Sequence, residues 1–231
     1  KLFSSYEIPN SLGWFYAGLT DYLGFIPYRD EGKIMGLAPY GEPKYIQTIL
    51  DNLIDLKEDG SFKLNMKYFN YCAGLTMTNE KFHSLFGRKP RKSESKLTQM
   101  DMDLARSVQL VTEKIVMRMA RHVHKVTGEK YLCLAGGVAL NCVANGRLLR
   151  EGPFENIWIQ PSAGDAGGAL GAAIFTWYQY LDNPRSADNH KDSQMGSYFG
   201  PEYSNREIES FLKEHSIPHS RFDGEIIDRT V

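Results

Sequence analysis

Residues 131–181 constrain the fold more than any other stretch. Residues 131–135 (YLCLA) read as a short apolar strand. Gly136-Gly137 turn the chain into a helix expected over residues 141–150, which Gly152-Pro153 stop. A second strand at 156–160 (NIWIQ) leads to another Gly-rich turn, PSAGDAGG, and then to a helix in GALGAAIFTWYQYL. Glycines thus follow the carboxyl end of both strands. A strand–helix–strand–helix succession of this kind predicts an α/β lobe with a right-handed crossover and ligands at the strand ends. Ala169, Ala172 and Ala173 would let the last helix pack closely on a neighbour.

Upstream, Leu104, Val108, Val111, Ile115, Met119 and Val123 recur at helical spacing and form one apolar stripe, with Met119 as core. Asp101 or Asp103 can serve the start of that helix, and Gly128 supplies its stop. Residues 11–41, rich in glycine and aromatics, predict turns and close backbone approaches rather than a long element. Residues 43–52 predict a short helix with Pro43 in its first turn. LIDLKEDGSFKLNM predicts a β-hairpin around Asp59-Gly60. The basic run at 81–96 lacks interleaved aromatics and regular periodicity and reads as a solvated loop. Residues 182–196 are polar and read as a linker, after which Ser204 and Glu207 form a capping box before Ile208, Phe211 and Leu212. No internal repeat of solenoid period is visible.

Composition narrows the function classes. The 231 residues carry 27 Lys plus Arg against 28 Asp plus Glu, a formal charge of −1, which argues against a dedicated nucleic-acid surface. No apolar run reaches a membrane span of about 20 residues, and no secretory signal is visible. The three cysteines, Cys72, Cys133 and Cys142, are odd in number and form no Cys-x-x-Cys, so they read as reduced structural residues of a cytoplasmic protein. Cys133, inside an apolar run, is expected in the core. His122 and His124 point to opposite sides of a helix, and Pro218 disfavours a helix through His215 and His219, so neither pair reads as a metal site.

Three segments can carry chemistry. In LAGGVALN, Gly136 and Gly137 let a flat or anionic ligand reach the backbone at a helix start, where Asn141 caps the helix or donates to the ligand. The same glycines serve equally in a purely structural turn. The segment lacks Gly-x-Gly-x-x-Gly and a Lys-Ser/Thr ending, so neither the dinucleotide nor the P-loop fingerprint applies. In PSAGDAGGALGAA, Asp165 is either a helix N-cap or a carboxylate for a divalent metal in a crevice, with Gly167 expected on the nucleotide beside it. In DEGKIMGLAPYG, Lys33 offers a point charge for phosphate and Glu31 a ribose partner, flanked by Gly36 and Gly41; the alternative is an exposed salt-bridged turn.

Together the words DEGKIMGLAPYG, LTQMDMDLARSVQ, LAGGVALNCVANGRLLREGPFENIWIQPSAGDAGGALGAA and FGPEYSNREIESFL resemble the carbamoyltransferases of the nodulation and antibiotic-tailoring type. They occur in family order from about residue 20 to 215. The resemblance implies an α/β lobe of the actin, sugar-kinase and heat-shock-chaperone (ribonuclease H-like) fold, with the β-hairpin as an insertion. It implies residues 1–181 as the second lobe of a threonylcarbamoyl-transferase-like N-terminal domain and 182–231 as a linker and short helix toward a further domain.

The activity implied is transfer of a carbamoyl group to a hydroxyl of a small-molecule acceptor. The donor would be carbamoyl-adenylate, made from carbamoyl phosphate and ATP in a separate C-terminal domain. Gly136, Gly137 and Asn141 match the adenosine-side motif, Lys33, Gly36 and Gly41 the nucleotide-contacting loop with Glu31 beside it, and Asp165 a carboxylate ligand of a divalent metal, iron in this family. The family's metal-binding His-x-x-x-His word finds no match in a suitable context. The resemblance therefore implies that a first lobe and the adenylate-forming domain lie outside this stretch, and that the stretch alone does not turn over. Two other classes stay open on the residues: a nucleotide-dependent kinase of the same superfamily, and a non-catalytic adenine-nucleotide module. No membrane or nucleic-acid partner is expected.

Overall fold

The computed structural model describes residues 5–186, 188 and 192–222. The described residues fall into two compact units, divided between Asn183 and Pro184.

Ser11 starts the first unit's first helix, α1 (Leu12–Tyr22), by accepting the Trp14 N–H at 3.3 Å. A second helix, α2 (Glu31–Leu37), runs into a 3-10 turn at Ala38–Tyr40. Residues 11–41 are therefore mostly helical, not a series of turns. Packing offsets the glycine penalty: a Cβ on Gly18 would lie 3.4 Å from the Phe69 ring, so the helix gains close contact there. Next comes α3 (Ile46–Asn52), which starts after Pro43 rather than on it. The hairpin is as expected: β1 (Ile54–Leu56) pairs antiparallel with β2 (Phe62–Leu64), and Gly60 makes the bend at φ +85°.

The basic run at 81–96 is not a free solvated loop. It opens with α4 (Glu80–Leu85), whose Phe82 is buried, as is Phe86 beyond it. Arg91 then closes the end of α1: its backbone N–H donates to the Tyr22 carbonyl at 3.0 Å and its Nε to the Leu23 carbonyl at 2.6 Å. Guanidinium groups that satisfy helix-end carbonyls are structural, whatever the local charge density.

The long helix α5 (Gln99–Thr127) forms the spine. Leu104, Val108, Val111 and Ile115 are wholly buried, and Met119 packs partly buried against the same cluster as Phe15, Leu19, Ile34 and Ile49. Each such side chain contributes about 1.5–3 kcal/mol by leaving water. The helix begins at Thr98, one turn before the expected residues, in a capping box with Asp101: the Asp101 carboxylate accepts the Thr98 N–H at 2.8 Å. Asp103 instead faces the loop after α2, where it accepts the Glu42 N–H at 2.8 Å and pairs with Lys44 at 2.9 Å. Gly128, at φ +69°, ends the helix as expected.

Gly41 passes so close to α5 that a Cβ there would run into the Met102 carbonyl. Gly41→Ala is expected to destabilise the protein by about 1–3 kcal/mol through forced backbone movement. A thermal melt checks it, and an unchanged midpoint would contradict the close approach.

The α/β unit follows. Strands β3 (Tyr131–Leu134) and β4 (Asn156–Ile159) are parallel, in the register Tyr131↔Asn156 to Leu134↔Ile159, with α6 (Cys142–Glu151) between them. Leu132, Leu134 and Ile157 pack on a second small core of Met117, Ala120, Leu148 and Phe154. Successive strand residues face opposite sides, so Cys133 falls with Tyr131 and Trp158 on the other, exposed face. That corrects the expectation of a core cysteine; Cys72 and Cys142 are exposed as well. The last helix, α7 (Gly167–Phe175), passes into a π turn at Thr176–Tyr180 and buries no residue, so Ala169, Ala172 and Ala173 are exposed rather than closely packed. Architecture is thus mixed α/β with small sheets, and no described helix is long and apolar enough to cross a membrane.

In the second unit, α8 (Asn205–Glu214) carries the expected capping box, with the Ser204 N–H donating to Glu207 at 2.7 Å. His215 lies just past its end and His219 beyond it, so no helix joins them. Of the expected linker at 182–196, residues 187 and 189–191 lie outside the described residues.

Candidate functional site

Parallel pairing of β3 and β4 sets their carboxyl ends side by side, so the two Gly-rich turns meet. The Gly136 N–H donates to the Ala163 carbonyl at 2.7 Å, stitching one turn to the other. Gly136 stands at φ +101°, ψ 160°, a region essentially restricted to glycine. Gly137 then opens a 3-10 turn, Gly137–Leu140, and a Cβ on Gly137 would meet nothing within 4 Å. The turns open into a cleft of about 670 Å³, lined by Gly137 and Asn141 from the first and Gly164 and Asp165 from the second. Across from them stand the start of α1, with Trp14 and Tyr16, and the approach to α2, with Arg29 and Glu31. The volume suits a nucleotide-sized ligand.

The structure brings four of the expected residues, Glu31, Gly137, Asn141 and Asp165, onto this one cleft, with Gly136 beside them in the backbone stitch. It does not bring Lys33, Gly36, Gly41 or Gly167 to the lining. Lys33 pairs with Asp30 at 3.1 Å within α2, which is the salt-bridged alternative. Gly36 is a helical residue with open space around it, and Gly41 packs on α5. Gly167 approaches the Ser162 carbonyl so closely that a Cβ would collide with it.

Asp165 does not cap a helix. Ala166 holds the N-cap position of α7, which has no side-chain cap, and the Asp165 carboxylate is exposed. Asn141 does cap: its Oδ1 accepts the Ala144 N–H of α6 at 3.0 Å. Glu31 is partly committed, accepting at 2.7 Å the N–H of Tyr28, which is itself at φ +64°. Asp30 is held well below the usual carboxylate range, first by its hydrogen bonds from Arg29 (3.0 and 3.1 Å) and then by the Ile26 N–H (3.1 Å). An ionised Asp30 keeps Arg29 as a fixed cation at the cleft's edge. Burial, reinforced by the charges of Glu31 and Glu113, raises the Tyr16 phenol well above its ordinary value, so it stays a protonated donor to Gln109 at 3.0 Å.

Sequence reasoning missed Tyr16, Arg29 and the polar residues Gln109, Thr112 and Glu113 behind and beside the cleft. A signal was present: those three lie on α5 amid its apolar stripe, and Gln109, Thr112 and Glu113 are all buried. Polar side chains in that position need partners, and partners mark a built feature.

The donor set does not make a metal centre. Among the described residues no three His, Cys, Asp or Glu side chains converge, and the cleft is lined by two carboxylates, Asp165 and Glu31, the second already bonded to Tyr28. Divalent cations are held by several protein ligands, with imidazoles prominent for iron.

A parallel strand–turn–helix unit opening a glycine-lined cleft makes this a mixed α/β domain with a candidate ligand site at its strand ends. The family description that matches it, over residues 1–174, is "Carbamoyltransferase N-terminus", and the chain belongs to that family. It is 62% identical over 211 residues to the uncharacterized protein sll1178 of Synechocystis sp., covering 91% of this chain and 34% of that one. It is 35% identical to nodulation protein NolNO of Sinorhizobium fredii (92% of this chain, 29% of that one) and 36% identical to nodulation protein NolO of Bradyrhizobium diazoefficiens (88% and 34%). The chain therefore spans about a third of the length of these relatives.

Proposed function

We propose that the chain supplies the nucleotide-side half of an O-carbamoyltransferase site, in which carbamoyl-adenylate lies in the cleft and its carbamoyl group passes to a hydroxyl of a small-molecule acceptor. One observation supports this most: the two Gly-rich turns line a single cleft, with open space over Gly137 and a fixed cation at Arg29 on its edge. In this reading β3, α6, β4 and α7 form the core of one lobe of a two-lobed, actin-like domain.

The reaction makes a bond from the acceptor oxygen to the carbamoyl carbon and breaks the bond from that carbon to the adenylate phosphate, releasing AMP; the hydroxyl proton leaves to solvent. This chain's residues bind and orient. The bare backbone at Gly137 accepts the flat adenosine moiety, and Arg29 offers charge to the phosphate. ATP and carbamoyl phosphate furnish the adenylate in a separate domain. By the family resemblance Asp165 would be one carboxylate ligand of a divalent ion, iron in this family; the described residues of the cleft do not complete such a site, and no step is routed through it.

Asp165→Ala in the intact protein is expected to lower carbamoyl transfer about a hundredfold or more. The melting midpoint should stay unchanged, because the carboxylate caps nothing. The test is radiolabelled carbamoyl transfer from carbamoyl phosphate in the presence of ATP. Undiminished transfer would remove Asp165 from the reacting end of the cleft.

A further inference from the structure

Behind the cleft, polar side chains form a run of hydrogen bonds whose direction is fixed at both ends. Arg147 Nη1 donates to Glu113 Oε2 at 3.1 Å, and Glu113 Oε1 accepts from Gln109 Nε2 at 3.2 Å. Gln109 Nε2 also donates to Asn141 Oδ1 at 3.0 Å. In return Gln109 Oε1 accepts from Asn141 Nδ2 at 3.0 Å and from the Tyr16 hydroxyl at 3.0 Å. A carboxylate only accepts, and the Ala144 N–H on Asn141 Oδ1 only donates, so neither amide can turn over without losing a partner.

Gln109 is 0% exposed and has every donor and acceptor engaged, so it has nothing to offer a ligand. Asn141 differs: it lines the cleft, and its second Nδ2 hydrogen has no acceptor among the described residues.

We propose that Glu113 and Gln109 are positioning residues that lock the Asn141 amide, so that it presents one N–H donor to an acceptor atom of the ligand. The identity of that ligand as an adenine nucleotide rests on the function proposed above. The locking itself does not.

Glu113→Gln isolates the effect, because it keeps size and removes only the acceptor-only character. Arg147 can only donate, so the new amide turns its oxygen to Arg147 and its NH₂ toward Gln109, where it meets the Gln109 NH₂ and drives that amide over. The reversed Gln109 then sets its NH₂ against the Asn141 NH₂ and its oxygen against Asn141 Oδ1. Adding Arg147→Met frees the introduced amide to present its oxygen to Gln109 again.

The intact protein, the Glu113→Gln variant and the Glu113→Gln/Arg147→Met variant are compared by calorimetry with ATP and with AMP. The single variant is expected to bind each about tenfold more weakly, and the double variant to return to within about twofold of wild type. A role in stability alone predicts the opposite, since the second substitution removes a further ion pair. Wild-type affinity in the single variant, or weaker binding still in the double, would overturn the proposal.

In parallel, ligand-free protein is read by NMR through the Asn141 side-chain amide. One of its protons should be protected from exchange in the wild type, unprotected in the single variant and protected again in the double. An amide unchanged across all three overturns the proposal. Should the wild type bind neither ATP nor AMP, the nucleotide reading fails while the amide signal still decides the locking.

Discussion

Gly137→Val is expected to weaken ATP binding by the intact protein about tenfold or more and to leave its melting midpoint where it was. Both halves follow from one fact. A Cβ at Gly137 meets no protein atom within 4 Å, so a branched side chain costs the fold nothing by collision, yet it projects into the cleft that Gly137 lines. Gly137→Ala should fall between wild type and valine. Gly136 is the control for ordinary backbone strain: at φ +101° any Cβ is strained, so Gly136→Ala loses stability instead. Calorimetry with ATP, alongside a thermal melt, separates the two glycines. Equal ATP affinity in wild type and Gly137→Val would place the ligand elsewhere.

Asp101→Ala is expected to cost about 3 kcal/mol at neutral pH, the larger part from leaving Arg88 without its carboxylate and the rest from the lost cap. Asp101 is 0% exposed, closes the capping box at Thr98 and pairs with Arg88, whose side chain is itself largely buried. Burial alone would raise the Asp101 pKa, but the hydrogen bonds from Thr98 and the pairing with Arg88 outweigh it and hold the carboxylate below its usual value. Asp103 is likewise held down against the effect of burial, by the Glu42 N–H and then by Gln99 and Lys44.

The sign of the pH dependence follows. A carboxylate with a depressed folded pKa contributes its stability in full above the unfolded value of about 4, and that contribution disappears as pH falls through the folded value. Wild type should therefore lose stability below about pH 4, and the gap between it and Asp101→Ala should narrow there. Urea melts at pH 7 and pH 3 test both statements. A gap of the same size at both pH values would mean that the Asp101 charge has no part in the stabilisation.

The elements that were legible in the sequence are those whose signal is local. The stripe from Leu104 to Ile115 marked α5, Asp59-Gly60 marked the hairpin, Ser204 with Glu207 marked α8, and the glycines after two apolar runs marked the parallel unit with its turns. What stayed hidden depends on contacts distant along the chain. Gly18 is tolerated in α1 because Phe69 packs on it, Arg91 is structural because α1 ends beside it, and Cys133 is exposed because nothing described covers its face of the sheet.

The cleft divides the same way. Asp165, Gly137 and Asn141 were readable as turn residues, whereas Lys33 is not among the lining residues and pairs instead with Asp30, one turn away. Gln109 and Glu113 were readable only as polar interruptions of an apolar face, and their purpose emerges when Asn141, far along the chain, comes to lie against Gln109.

The most direct test of the account is a crystal structure of the intact protein with ATP bound. Adenosine is expected against the Gly136-Gly137 backbone within hydrogen-bonding reach of Asn141, with the phosphates running toward Arg29. Nucleotide bound in another part of the molecule, with the space over Gly137 left to solvent, would contradict it.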